Sequence, residues 1–136
     1  MLYAPAMRLA SSRLRILLMI VASFFIFAVP KKSGEDRGGM PWQGYKVNPL
    51  KVAVQLLKLQ AEIKTRLSRI YQPILLFQAN LDETVDLKIG EMIFEGVQSA
   101  VIASHWMEKS GHVVILDREF EEVSEISLKF VKKIFQ

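Results

Sequence analysis

The chain has 136 residues, and at ~100–200 residues per domain that suits one domain. Apolar types make up 51% and charged types 24%, which excludes an ordinary disordered tail. No cysteine is present, so disulfide frameworks, thiolate metal sites and cysteine nucleophiles are excluded, and two histidines, His105 and His112, confine imidazole chemistry to two places.

The net charge of +4 divides unevenly. Through Gln72 there are 12 Lys+Arg against 3 Asp+Glu, and from Pro73 onward 6 against 11, giving +9 and −5. A basic half can serve a nucleic acid or a membrane surface. Here the basic residues are spread along helical patterns with little aromatic interleaving. That spacing favours solvated helix faces, and no nucleic-acid partner is expected.

Ile16 to Val29 is uncharged over 14 residues, contains Phe24, Phe25 and Phe27, and follows Arg8, Arg13 and Arg15. This layout mimics a signal peptide, but Ile26 would occupy a cleavage position that wants a small residue. A bilayer span wants ~20 apolar residues. The segment therefore reads either as a buried or pocket-covering helix, or as a membrane or export segment. Residues 31–48 read as a linker, because Gly34, Gly38, Gly39, Pro41 and Gly44 break any period, with Trp42 and Tyr45 as packing anchors.

Asn48-Pro49 predicts a helix start, with Asn48 as N-cap and proline at the first helical position. Apolar residues at 56, 59, 63, 67 and 70 line one face of a helix over 50–70. Pro73 stops it. Ile74 to Phe77 is a continuous apolar run, the mark of a strand buried on both faces. A loop through Asp82 leads to a helix capped by Asp86 that carries Ile89, Met92, Ile93 and Val97. A second strand fits Ala103 to Met107, then a loop over 108–112. A last helix fits Arg118 to Phe135, with Asp117 as N-cap and Glu119, Glu121 and Glu122 where the helix dipole favours negative charge. Strand, helix, strand, helix is the order of an α/β sheet. With two strands only, the sheet is marginal, and the open edge of the first predicts poor folding or self-association.

Ligands and catalytic groups of open α/β sheets gather beyond the carboxyl ends of the strands. Asp82 follows the first strand and His112 the second. A carboxylate on one ring nitrogen fixes the tautomer and stabilises the imidazolium formed when the other takes a proton. Gly111 permits the tight turn that aims the ring. On spacing alone, a catalytic pair and a capping aspartate with a surface histidine are both open. His105, inside the second strand, reads as a strand histidine. No His/Asp/Glu cluster has metal-ligand spacing, and neither metal nor cofactor is expected.

The stretch PILLFQANLDETVD, with SGHVVILDREFEEV thirty residues on, resembles the C-terminal part of α/β-hydrolases, nearest to carboxylesterases and monoacylglycerol lipases. The resemblance covers residues 73–136. Less specifically, residues 1–72 resemble the same group's helical cap, with Met1 to Pro5 similar to the strand and loop that follow the nucleophile. It implies a partial α/β-hydrolase fold: a cap over 1–72 and the last two strands and helices of a parallel sheet over 73–136. It implies Asp82 as triad acid and His112 as general base, in the order Ser…Asp/Glu…His. The family often has glycine where Ala79 stands.

The family's G-x-S-x-G nucleophile motif does not occur in the sequence, and Ser11, Ser12, Ser23, Ser33 and Ser110 stand outside any such turn. The implied substrate is a carboxylic ester or acylglycerol, the implied state an inactive portion, and the implied location cytoplasmic. The rival reading is a membrane-anchored, non-catalytic protein inserting residues 16–29.

Overall fold

An uncharged run such as Ile74 to Phe77 has no polar face to present to water, so it must lie between two apolar layers. A computed structural model describes residues 1–31 and 45–136, so most of the predicted linker, Trp42 included, lies outside the described residues. In chain order Leu2–Tyr3 is β1, Arg13–Ala22 α1, Ala28–Pro30 β2, Val47–Pro49 β3 and Leu50–Arg66 α2, which continues as a 3-10 turn at Leu67–Arg69. Ile74–Ala79 is β4, Ile89–Gly96 α3 and Ile102–Met107 β5; a 3-10 turn at Val114–Leu116 precedes Phe120–Ile134, α4.

Every residue of β4 is buried. Its side chains divide with the period of a strand. Ile74 and Leu76 join Met7, Leu67, Val85, Ile89, Ile93 and Val97 in one core. Leu75, Phe77 and Ala79 join Ala4, Met107, Val114 and Val123 in the other. Helix α3 and the end of α2 thus cover one face of the strand, and α4 covers the other. The predicted face of the 50–70 helix is seen at Ile63, Leu67 and Ile70, whereas Leu59 is exposed.

The main sheet has three strands in the order β1-β4-β5, both pairings being parallel. This corrects the expectation of two strands and an open edge on β4. Leu2 and Tyr3 pair with Leu76 and Phe77 and occupy that edge. A two-residue strand has no periodicity to read, and only its pairing defines it. Tyr3, Phe77 and His105 lie in register across the sheet, with ring centroids 5.4 Å and 5.8 Å apart. The 31–48 stretch is also corrected at its end, where Val47–Pro49 pairs antiparallel with Ala28–Pro30.

Three expected helix caps shift for local reasons. Asn48 sits in β3 and Pro49 stands at the N-cap of α2. Helix α3 begins after Lys88, because Asp86 closes a turn onto the Lys88 N–H and also binds Arg8. Helix α4 begins after Glu119, because the carboxylate of Asp117 accepts the N–H of Gly111.

The 16–29 segment forms α1 only as far as Ala22, with Ser12 as N-cap. It packs on α2. The expectation of a buried helix is corrected, since α1 contains no buried residue. Leu14, Leu17, Leu18, Val21, Phe24, Phe25 and Phe27 are exposed. Its apolar residues surround the axis while one neighbouring helix covers one side. Among the described residues no helix is long and apolar enough to cross a membrane.

Glycine is required at position 90 by close approach. A Cβ there would lie 2.0 Å from Oε1 and 2.9 Å from Cδ of Gln78. That buried amide cannot swing away freely, because its Nε2 donates to the Leu87 carbonyl at 2.8 Å. Overpacking costs about 1–3 kcal/mol, and helix propensity returns up to ~1 kcal/mol. Gly90→Ala should therefore lower stability by up to roughly 2 kcal/mol, read as a lower urea midpoint at unchanged m-value.

Candidate active site

Strands β4 and β5 run parallel, so the loops after Ala79 and Met107 emerge at the same sheet edge. Backbone bonds tie those loops together: Asn80 N–H donates to Met107 O at 2.9 Å, and Leu81 N–H to Ser110 O at 3.2 Å. A turn closed by Asp82 N–H to Ala79 O, 3.2 Å, sets the Asp82 side chain next to the second loop.

The Asp82 side chain is 3% exposed and that of His112 is 35% exposed. His112 Nδ1 lies 2.9 Å from Asp82 Oδ2. The other carboxylate oxygen, Oδ1, accepts the N–H groups of Thr84 at 2.8 Å and Val85 at 3.0 Å. Burial pushes the Asp82 carboxyl up, and the hydrogen bonds from His112, Thr84 and Val85 together outweigh it. The net effect holds the carboxyl below its ordinary 3.8. An ionised carboxylate can only accept, so the neutral imidazole must carry its proton on Nδ1. That leaves Nε2 with a lone pair on the more exposed side of the pair. The arrangement can take a proton at Nε2 and stabilise the resulting cation against Asp82.

No family model matches the sequence. A carboxylesterase of Bacillus subtilis (strain 168) is 27% identical over 90 residues, covering 66% of this chain and 37% of that protein. The thermostable monoacylglycerol lipase of Bacillus sp. (strain H-257) is 33% identical over 89 residues, 65% of this chain and 36% of that protein. A solved structure from work on two metagenome-derived lipolytic enzymes, LipS and LipT, superposes at TM-score 0.82 with 27% identity, covering 94% of this chain and 52% of that one. This chain has a partial α/β-hydrolase fold. The monoacylglycerol lipase of Paleococcus ferrophilus shares the fold at TM-score 0.67 and 14% identity, over 93% of this chain and 55% of that one. The matches span only about a third of the curated relatives' length.

Other side chains singled out in the sequence are engaged elsewhere. His105 faces Phe77 within the sheet. Ser12 caps α1, accepting the Arg15 N–H. Ser23 ends α1 and donates to Ile20 O at 2.6 Å. Ser110 is fully buried and donates to Glu119 at 2.6 Å. Ser33 lies outside the described residues. Among the described residues no three His, Asp or Glu side chains gather to hold a metal. A surface groove of about 480 Å³, lined by residues such as Lys64, Leu67, Lys88 and Glu95, includes neither member of the pair.

Three supporting residues escape a reading by motif. Arg8 binds the Asp86 carboxylate, with Nε at 2.7 Å, while Leu9 bridges Val85 antiparallel, so the N-terminal segment braces the acid's loop. Asp117 and Glu119 hold the loop before His112 from the far side. The available signal is a pair of acids five and seven residues beyond that histidine, more than one helix cap requires.

Because the folded-state value of Asp82 lies below 3.8, its ionised carboxylate contributes stability fully above that pH and loses it as pH falls through the folded value. Asp82→Asn should be less stable than wild type at neutral pH. The gap in urea midpoints should narrow as pH drops below about 4. A gap unchanged in stronger acid would contradict the assignment.

Proposed function

We propose that this chain supplies the acid–base part of a serine hydrolase acting on carboxylic esters, with simple esters or monoacylglycerols as the substrate class. The observation that carries the proposal is the 2.9 Å contact between His112 Nδ1 and a buried, doubly anchored Asp82 carboxylate at adjoining strand ends. The names of the relatives, a carboxylesterase and a monoacylglycerol lipase, support the reaction class.

In this reading His112 Nε2 removes the proton of a serine hydroxyl as it attacks the ester carbonyl. The same nitrogen then protonates the departing alkoxide, and Asp82 keeps the ring oriented and stabilises its charge. A general base must come within ~2.6–3.2 Å of the proton it takes. The hydroxyls of Ser12, Ser23 and Ser110 are committed to other partners. We assign the nucleophile to a strand-to-helix turn of the kind the G-x-S-x-G motif builds, which this sequence does not contain. Residues 73–136 would then be the C-terminal part of the hydrolase core. Residues 1–72 would be a cap-like region, with β1 lent to the core sheet.

A chimera tests this directly. Residues 73–136 replace the matching segment of the Bacillus sp. (strain H-257) monoacylglycerol lipase, and p-nitrophenyl butyrate turnover is followed. The folded chimera should hydrolyse the ester, and His112→Ala or Asp82→Asn within it should lower kcat by about 10³–10⁴-fold. Turnover indifferent to both substitutions would refute the roles.

A membrane contact of the interfacial kind is favoured by one further observation. Phe24, Phe25 and Phe27 are 78%, 87% and 77% exposed, in the half of the chain that carries the basic excess. Exposed aromatic side chains in a basic half suit an anionic lipid surface without spanning it. Co-sedimentation with phosphatidylserine-containing vesicles should be weakened at least about tenfold by replacing the three phenylalanines with serine.

A further inference from the structure

We infer that Glu119 is a positioning residue for His112, acting through the loop over 108–111. The inference rests on the acid–base reading above and adds a residue that neither touches substrate nor belongs to the pair. The carboxylate of Glu119 takes three hydrogen bonds from consecutive loop residues. Oε1 accepts Glu108 N–H at 3.1 Å, while Oε2 accepts Lys109 N–H at 2.9 Å and the Ser110 hydroxyl at 2.6 Å. Ser110 is wholly buried, and its carbonyl accepts the N–H of Leu81, the residue before Asp82, at 3.2 Å. Asp117 accepts the N–H of Gly111 at 2.7 Å.

The sequence of contacts is continuous. Glu119, at the start of α4, fixes Ser110; Ser110 is tied by its carbonyl to the acid's loop; and His112 lies two residues beyond. Val123 and Val114 hold the base of α4 against β4 in the buried core, so Glu119 is anchored to a rigid element. Four hydrogen bonds to two carboxylates at and just before the start of that element set the path of the backbone that delivers the imidazole. Because hydrogen bonds weaken steeply with misalignment, a loop released by a fraction of an ångström would let His112 drift from Asp82. Glutamate in a first helical turn needs no such explanation, since the helix dipole favours any acid there. What distinguishes Glu119 is reach: Glu121 and Glu122 occupy the same turn and are exposed.

Two substitutions separate reach from charge. Glu119→Asp keeps the charge at the helix start but shortens the side chain by one C–C bond, ~1.5 Å, enough to break contacts of this length. Glu119→Gln loses the charge but keeps an oxygen where Oε2 stands; its NH2 replaces the acceptor of the Glu108 N–H, so that solvent-exposed bond is lost and the two donors must part there. The readout is the tautomer of His112 from long-range proton–nitrogen NMR correlation in mildly alkaline solution. His105 serves as internal control, and circular dichroism checks the fold. Wild type and E119Q should show His112 protonated on Nδ1, and E119D should lose that preference while His105 stays unchanged. An E119D protein with the wild-type tautomer, or an E119Q protein that loses it, overturns the proposal. A wild-type chain without the Nδ1–H form would instead contradict the acid–base pair itself, before any variant is compared.

Discussion

Burial of β4 on both faces is the constraint from which the rest follows. Leu75, Leu76 and Phe77 are completely excluded from water, and at about 1.5–3 kcal/mol for each fully buried side chain they stabilise the fold more than any polar contact in it. That gain exists only if helices lie above and below, which α3 and the end of α2 do on one face and α4 on the other. It also requires neighbours for the strand's own N–H and C=O groups, which β1 and β5 supply. Once β5 lies parallel beside β4, the loops following both strands must emerge together. The meeting of Asp82 and His112 is thus a consequence of packing and direction before it is one of chemistry.

The parts of the fold legible in the sequence are those whose signal is local. An apolar run of four, a three-and-four spacing ending at Ile70, and acids at the start of the last helix each declare their element. The parts that were not legible depend on partners distant in the chain. Leu2 and Tyr3 become a strand only because Leu76 and Phe77 offer their free edge. Ala28–Pro30 and Val47–Pro49 pair across an intervening stretch that no periodicity links. Asp86 and Asp117 look like caps in isolation, yet their side chains turn toward Arg8 and Gly111, and each helix starts two or three residues later. The uncharged stretch after Arg15 shows the converse error. Its composition suggests burial, but composition does not say whether enough neighbouring surface exists to cover it.

The candidate site divides in the same way. The pair itself could be placed because a parallel sheet directs both loops to one edge and because the surrounding residues resemble a family motif. Its supports could not, since Arg8 stands 78 residues from its partner and the work of Glu119 is done on backbone groups that carry no sequence signal. Both oxygens of Asp82 are occupied, one by backbone N–H groups and one by the imidazole. A buried carboxylate with a vacant oxygen would tend to neutralise. Full occupancy instead keeps it ionised, and an ionised Asp82 is what dictates which nitrogen of His112 is free.

The exposed apolar face around α1 poses an opposite physical problem. The β4 residues are stabilised by complete enclosure, while Phe24, Phe25 and Phe27 stand largely in water with adjoining leucines and valines. Solitary apolar residues on a surface need no account, but a contiguous group of this kind marks a contact surface or a ligand groove. Helix α1 is capped at both ends, by Ser12 and Ser23, so its exposure is not the fraying of an unfinished element. A well-formed helix whose apolar residues encircle it and which packs on α2 can gain stability from a second apolar surface without changing its own conformation. The same physics admits an acyl chain, a lipid interface or further protein. The pair at the strand tips and the exposed aromatic segment are therefore separate features: one fixes which imidazole nitrogen is free to take a proton, and the other leaves an apolar surface open.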